Sequence, residues 1–160
     1  MIANLLKYLP TNSNLDQTKL YDEISFYPAL SKDLSKCDSE LIIESPFITS
    51  KRVGNLLPYL KKLKKKRVRI AVITRDPREL SEDRRPDSYI GLSKLMHLGI
   101  QVVFCKDHHR KAVIIDRRLL YEGSLNVLSQ NDSREIMRRI ESVNLSWQMI
   151  GFVDLDKYIN

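Results

Sequence analysis

The chain has 160 residues, of which 42% are hydrophobic and 29% are charged, and its net charge at pH 7 is +7. This length and composition predict one globular domain that buries a core of its own. No apolar run approaches the roughly 18 residues that a membrane-spanning helix needs. The positive charge favours polyanionic partners such as nucleic acid or anionic lipid.

Two sequence features bear on the cellular compartment. The start, MIANLLKYLP, is too short for a secretory signal and has no small-residue cleavage site. Cys37 and Cys105 lack the spacing of metal ligands, so each is expected to be a free thiol in the core. We therefore expect a cytoplasmic protein.

In chain order, the sequence predicts helices that alternate with strands. Residues 1–20 are expected to form an N-terminal arm or short helix, followed by a single domain over residues 21–160. Apolar residues recur at helical spacing in some segments and run almost continuously in others, as in strands covered on both faces. The predicted helices cover 21–37, 53–63, 89–98 and 133–141. The predicted strands cover 41–43, 68–73, 101–105, 109–116 and 118–122, with a further strand or two over 143–153.

Prolines and glycines set several of these boundaries. Pro28 interrupts the first helix, and Pro58 predicts a kink or a late start in the second. Residues 75–88 are charged and rich in proline, which predicts a loop beside the sheet. Gly99 is a natural stop for the third helix. The alternation of helices and strands predicts an α/β fold with a largely parallel sheet.

One short segment carries the most distinctive chemistry. It reads HRKAVIIDRRLLYEGSLN over residues 109–126, which is H-x-K-x4-D followed by G-S-x-N. The imidazole of His109 can attack phosphorus. Lys111 can hold the non-bridging oxygens, and Ser124 and Asn126, again two residues apart, can converge on the same phosphate. The segment therefore suggests a phosphodiester site.

Strand geometry separates the roles within this segment. His109 and Lys111 are two residues apart, so in a strand they share a face. Asp116 is an odd number of residues from both and faces away, which predicts a structural role. The neighbouring His108 also faces away from His109 and is not expected to be catalytic.

The segment resembles the HKD motif of the phospholipase D superfamily, which includes nucleases. The likeness spans roughly residues 20–153, including ESPF from Glu44 and TRDP from Thr74, and it is similar to domains found beside bacterial DNA helicases and in restriction-type nucleases. The resemblance implies a mixed sheet flanked by helices on both faces. Gly123 and Asp116 would be structural members of the motif.

The same resemblance implies a mechanism and an assembly. His109 would form a covalent phosphohistidine, and no metal or other cofactor would be needed, since Lys111 and Asn126 carry the charge stabilisation. Family members with a single motif take the second histidine from another subunit. This implies a homodimer in which both His109 side chains meet at one site, and a helicase or restriction system as a further partner.

Glu135 has two interpretations. The family spacing from Asn126 implies that the Glu135 carboxylate hydrogen-bonds the far nitrogen of His109 and fixes its tautomer. The sequence Asp132-x-x-Glu135 also fits a helix capping box, in which Glu135 would pair with Arg139 one turn later. The family spacing favours the first interpretation.

Basic residues offer contacts for a nucleic-acid backbone. The cluster KKLKKKRVR over residues 61–69 ends a predicted helix, where cations are favourable anyway, so a solvated face is the simpler interpretation. A second group lies in the loop after the strand over 68–73, where ligands of such sheets bind. The candidate contacts are Lys64, Lys65, Lys66, Arg75, Arg84 and Arg85.

Three functions compete. The favoured hypothesis is a DNA nuclease of the metal-independent phosphodiesterase type. The second is a non-catalytic DNA-binding or dimerisation module that keeps the pocket as a phosphate clamp. The third is a phospholipase, which would call for an amphipathic membrane-facing surface that the sequence lacks.

Overall fold

The computed structural model describes residues 18–153, so the predicted arm over residues 1–17 lies outside the described residues. Residues 18–20, also predicted to belong to the arm, are part of the first strand. The α-helices and strands in chain order are β1 (Thr18–Asp22), α1 (Phe26–Leu34), β2 (Glu40–Glu44), α2 (Ser50–Lys65), β3 (Arg69–Thr74), α3 (Arg85–His97), β4 (Gln101–Phe104), β5 (Ala112–Ile115), β6 (Leu119–Gly123), β7 (Ile136–Glu141) and α4 (Val143–Val153), and a short 3-10 helix (Pro77–Glu79) lies between β3 and α3.

The seven strands form one mixed sheet in the order β1-β7-β6-β5-β2-β3-β4. The predicted mixed sheet with helices on both faces is confirmed, but the predicted share of parallel strand pairs is too high. Parallel pairing is confined to β2 with β3 and β3 with β4, whereas the other four pairs are antiparallel. The sheet is therefore not largely parallel, because the chain after β4 returns through hairpin-type connections instead of crossover helices.

The core lies on both faces of this sheet. Helices α1, α2 and α3 cover one face, where Leu30, Leu60 and Leu95 are buried. Helix α4 covers part of the other face with Ile150 and Val153. None of the helices in the described residues is long and apolar enough to cross a membrane.

Two predicted elements near the end of the chain have the wrong type. Residues 133–141 do not form a helix, since 136–141 are strand β7, and 143–153 form helix α4 instead of strands. Met137 and Ile140 have helical spacing, but pairing with β6 and β1 on the two sides decides the conformation. The hydroxyl of Ser142 accepts the backbone N–H of Leu145 at 3.2 Å and so caps the start of α4.

Proline interrupts neither of the first two helices. Pro28 lies in the first turn of α1, where its missing N–H costs nothing. Helix α2 does not start late, since it begins at Ser50 and contains Pro58. Its start is capped by the hydroxyl of Thr49, which accepts the N–H of Arg52 at 3.3 Å.

Gly123 ends β6 at a point where the next strand comes very close. A Cβ at Gly123 would overlap the carbonyl oxygen of Ile136 and lie 2.9 Å from the sulfur of Met137. Only glycine therefore fits at this position without a shift of β7.

We expect Gly123→Ala to lower the free energy of unfolding by about 2 kcal/mol, because the added methyl must displace the backbone of β7. Gly151→Ala is the matched control, since no atom lies within 4 Å of the Cβ it would add on α4. That variant should be neutral or up to about 1 kcal/mol more stable. Urea unfolding followed by circular dichroism measures both changes, and equal stability of the two variants would contradict the close approach.

Candidate active site

The motif segment lies at the edge of the sheet where β2, β3 and β4 end and β5 begins. The strand predicted over residues 109–116 starts only at Ala112, so His109 and Lys111 belong to the loop between β4 and β5. His109 is exposed to solvent and Lys111 is half-buried. A loop position gives His109 access to a ligand that a place within the sheet would deny it.

The side chains of His109 and Lys111 are in contact. The Nζ atom of Lys111 lies 3.2 Å from Nδ1 of His109 and donates to the His109 carbonyl oxygen at 2.6 Å. Burial is the main cause that lowers the pKa of Lys111, while the Glu135 carboxylate opposes the shift and Arg75 adds to it. A protonated ammonium at Nδ1 favours the tautomer of His109 that carries its proton on Nε2.

An open groove of about 770 Å³ brings several motif residues together. It is lined by His109, Lys111, Gly123 and Ser124, with Met149 of α4 on its side. The hydroxyl of Ser124 is fixed by the backbone, since it accepts the N–H of Ile136 at 3.1 Å. The groove therefore offers an imidazole, an ammonium and a hydroxyl to one ligand.

Asn126 does not line this groove. It lines a second cavity of about 400 Å³ together with Phe47 and Arg84. Its Oδ1 atom is buried and has no hydrogen-bond partner within residues 18–153. Strand alternation does not bring Asn126 and Ser124 to one face, because β6 ends at Gly123 and the two-residue alternation ends with it.

Glu135 lies directly before β7, so the capping-box interpretation is wrong: no helix begins there. Its Oε1 atom accepts from the hydroxyl of Ser133 at 2.7 Å, and its N–H donates to Glu23 at 3.0 Å. Among the hydrogen bonds of the described residues, none joins Glu135 to His109. The Glu135 charge instead raises the pKa of Lys111, against the effect of burial. Arg139, the partner that a helix would have given Glu135, binds Asp33 of α1.

Asp116 lies at the opposite end of β5 from Lys111, in a left-handed conformation with φ of 52°. Its carboxylate accepts the backbone N–H groups of Asp38, Ser39 and Glu40 at 3.1, 2.8 and 3.0 Å. Burial alone would raise the pKa of Asp116, but these hydrogen bonds outweigh it and lower the pKa below its ordinary value. Asp116 thus ties the turn after β5 to the start of β2.

The basic residues after β3 differ in how freely they can meet a ligand. Arg75 is half-buried and donates from Nε to the His108 carbonyl oxygen at 2.6 Å. Arg85 donates to the Leu80 carbonyl at 2.9 Å and so holds the loop ahead of α3. Arg84 is exposed at the second cavity. Of these three, Arg84 is the best placed for a contact with a ligand.

The basic residues on α2 lie far from the motif. A helix of 16 residues is about 24 Å long, and α2 starts at the motif edge of the sheet and ends at the other. Lys64 donates to the Gly99 carbonyl at 3.1 Å and Lys66 to that of Ser35 at 3.3 Å, while Lys65 is exposed. This geometry favours the solvated helix end over a contact shared with the motif.

A buried acid that was not among the predicted site residues lies beside the motif loop. Glu44, the last residue of β2, has no exposed surface. Arg110 donates from Nε to Oε1 of Glu44 at 3.2 Å, and Nε2 of His108 lies 3.8 Å from the same oxygen. Burial raises the pKa of Glu44. Burial also lowers the pKa of His108 to about 4, and the nearby cations add smaller effects in the same direction. The sequence does contain one sign of this buried acid, since Glu44 directly follows the apolar run Leu41–Ile43.

Comparison with known proteins now decides the family. A family model described as "Cardiolipin synthase, PLD-like domain" matches residues 30–151. The chain belongs to the phospholipase D-like family. No curated protein matches its sequence.

Solved structures agree on the fold of this phospholipase D-like domain. Nuc, a phospholipase D family member from Salmonella typhimurium, has a TM-score of 0.71 at 13% identity, over 84% of this chain and 90% of that one. NucT from Helicobacter pylori has a TM-score of 0.66 at 14% identity, over 84% and 91%. TrmBL2, an archaeal chromatin protein, has a TM-score of 0.59 at 11% identity, over 98% and 57%. At these identities the matches show a shared fold.

Asp116→Asn tests the carboxylate contacts at the far end of β5. Asparagine tolerates the left-handed backbone, but it has lost the charge, so we expect the free energy of unfolding at pH 7 to fall by about 1–2 kcal/mol. Because the folded-state pKa of Asp116 is lowered, its contribution is present above the ordinary aspartate pKa and is lost as the pH falls through the folded value.

The stability difference between wild type and Asp116→Asn should therefore narrow as the pH drops below about 4. Asp38→Asn is the control, because the Asp38 side chain is 84% exposed and 3.8 Å from Lys66. Chemical denaturation at several pH values measures the difference, and a gap that stays constant down to acid pH would refute the carboxylate explanation.

Proposed function

We propose that the chain is a metal-independent phosphodiesterase that cleaves DNA through a phosphohistidine on His109, at a site shared by two copies of the chain. The observation that carries this proposal is the contact between His109 and the Lys111 ammonium at an open groove. Membership of the phospholipase D-like family supports the reaction class.

The proposed reaction has two steps that reuse the same groups. Nε2 of His109 attacks phosphorus, and the bond to the leaving oxygen breaks as a second histidine gives that oxygen a proton. The second histidine then takes a proton from water, which attacks phosphorus and breaks the P–N bond. Lys111 neutralises the phosphoryl oxygens and Ser124 donates a hydrogen bond to them, and the Asn126 amide would have to turn out of its own cavity to donate a second.

Attack through Nε2 requires His109 to carry its proton on Nδ1. In the free protein Nδ1 faces the ammonium of Lys111, which favours the other tautomer. A bound phosphate would draw Lys111 toward its oxygens, and Nδ1 could then donate to the Glu135 carboxylate. The orienting role that we propose for Glu135 therefore begins when substrate binds.

A nucleic acid is the substrate class that the charge supports best, and within that class we propose DNA. The net charge is +7, and Arg110 and Arg138 line the groove beside His109. Such cations attract a phosphate backbone without regard to base sequence. A helicase or restriction partner, if one exists, would have to supply specificity.

The direct test is cleavage of labelled single- and double-stranded DNA in excess EDTA. Wild type should cut, and His109→Ala should lose at least about 1,000-fold in rate, because the covalent route needs the imidazole. His97→Ala is the matched control, since His97 is exposed on α3 and bonded to Ser93, and it should cut like wild type. Cleavage that needs an added metal, or that survives in His109→Ala, would refute the proposed mechanism.

A second copy of the chain would complete the site. The motif supplies one histidine per chain, whereas the mechanism needs two on opposite sides of phosphorus. The same groove exposes apolar surface, since Leu20 is 68% and Ile136 57% exposed. Burial of such surface in a two-fold contact is the commonest form of self-association.

Mixing subunits tests the shared site. When His109→Ala chains are exchanged with an equal amount of wild type, only dimers with two intact histidines should cut, so activity should fall to about a quarter. Independent sites predict a fall to one half. Light scattering should give twice the 18.7 kDa mass of one chain. A measured mass of one chain, together with half of the wild-type activity in the mixture, would contradict the shared site.

A non-catalytic DNA-binding module is the second candidate. Two observations favour it: Asn126 lines a different cavity from His109, and Glu135 makes no hydrogen bond to His109 in the described residues. The chain also shares its fold with an archaeal chromatin protein described by its mode of DNA binding. DNA that is bound but not cut by wild type would support this candidate.

A further inference from the structure

We propose that Glu44 is a positioning residue for His109: its buried carboxylate binds Arg110 and faces the ring of His108, the two residues that flank His109, and so fixes the loop that presents the nucleophile. This inference rests on the proposed function, because the positioning matters only if His109 acts as the nucleophile. The flanking residues are His108 and Arg110.

The place of Glu44 in the sheet is one for an apolar side chain. Along β2, Leu41 and Ile43 face the layer of α1, α2 and α3, while Ile42 faces the layer of α4. Glu44 follows Ile42 by two residues and continues its face, beside Ala112 of β5 in the pairing. A carboxylate with no exposed surface loses its hydration there, so its retention calls for a specific partner.

The partners of Glu44 are the neighbours of His109. Arg110 donates to Oε1 at 3.2 Å, and Nε2 of His108 lies 3.8 Å from that same oxygen. The other oxygen, Oε2, and Nε2 of His108 are buried and have no hydrogen-bond partner within residues 18–153. A small shift of the His108 ring would join these groups. One carboxylate thus faces both flanks of the nucleophile.

The loop is also held through its backbone. Arg75 donates to the carbonyl of His108 at 2.6 Å, and Glu79 accepts the N–H of Asp107 at 3.2 Å. Asp107 itself has a left-handed φ of 56°. Among these anchors, Glu44 is the one that acts through side chains, since it binds that of Arg110 and faces that of His108.

Glu40, at the other end of the same strand, provides the contrast. It is also buried, and it pairs with two arginines, Arg69 and Arg117. Burial would raise the pKa of Glu40, but the two guanidinium groups outweigh it and lower the pKa. At Glu44 the effect of burial exceeds that of Arg110, so the pKa of Glu44 is raised. Glu40 thus has two guanidinium partners where Glu44 has one, so the remaining buried oxygen of Glu44 is left facing the loop beside His108.

The pair Glu44→Gln and Glu40→Gln separates positioning from stability. We expect Glu44→Gln to lower kcat for DNA cleavage about 10- to 100-fold with KM changed by less than about twofold, because a displacement of about 1 Å at the reacting atoms has that effect. Glu40→Gln breaks two ion pairs far from the loop and should keep kcat within about twofold. Combining Glu44→Gln with Arg110→Gln should lower kcat no further than the worse single variant, since the two share one interaction.

A second readout does not depend on cleavage. The chain has only three histidines, so the ring resonances of His97, His108 and His109 can be assigned by NMR. Glu44→Gln should shift the signals of His108 and His109 and speed amide exchange over residues 107–111, while those of His97 stay unchanged. Glu40→Gln should move none of them.

The outcomes keep the two proposals apart. Unchanged kcat and unchanged histidine signals in folded Glu44→Gln would overturn the positioning role, as would a fall in kcat explained entirely by unfolded protein. A wild type that does not cleave DNA would refute the proposed function, while the histidine signals would still test whether Glu44 holds the loop. If Glu44→Gln does not fold, Glu44→Asp replaces it, because aspartate keeps the charge on a shorter side chain. Glu44→Asp should lower kcat, though less than Glu44→Gln. A folded Glu44→Asp with wild-type kcat would also overturn the positioning role of Glu44.

Discussion

The antiparallel pairing of β5 with β2 is the constraint on which the rest of the molecule depends. It joins the parallel half of the sheet, β2 to β4, to the antiparallel half that contains β5, β6, β7 and β1. Because the strands run in opposite directions, the start of β5 lies beside the end of β2. The motif loop therefore meets Glu44 at one edge, and Asp116 meets the start of β2 at the other. A parallel arrangement would have separated both pairs.

The parts of the fold that could be predicted are those whose signal is local. The runs Leu41–Ile43 and Ile70–Ile73 are apolar without interruption, as strands covered on both faces must be. Strand β7 could not be predicted this way, because its charged residues are satisfied by partners far along the chain. Arg138 binds Glu122 on one face and Arg139 binds Asp33 on the other. A local pattern shows the charges but not the partners, and the spacing of Met137 and Ile140 alone then predicts a helix.

The same distinction applies to the site. His109 and Lys111 are only two residues apart, and they meet in the loop before β5 and not on one face of a strand as the spacing predicted. Asn126 lies beyond the end of β6 at Gly123, so the cavity that it lines does not follow from its two-residue spacing from Ser124. The position of Glu44 under the motif depends on a pairing between residues 66 positions apart. Both positions depend on how distant strands pair, and the spacing of residues along the chain does not predict that pairing.

The edge strand β1 has a consequence for the order in which the molecule is made. Leu20 lies in β1, opposite Arg138 of β7, and both side chains line the groove beside His109. Although β1 leaves the ribosome early, it has no strand to pair with until β7 has been synthesised. The wall of the groove is therefore assembled only after the motif itself has emerged, so a nascent chain cannot hold a ligand in a finished groove before most of the domain exists.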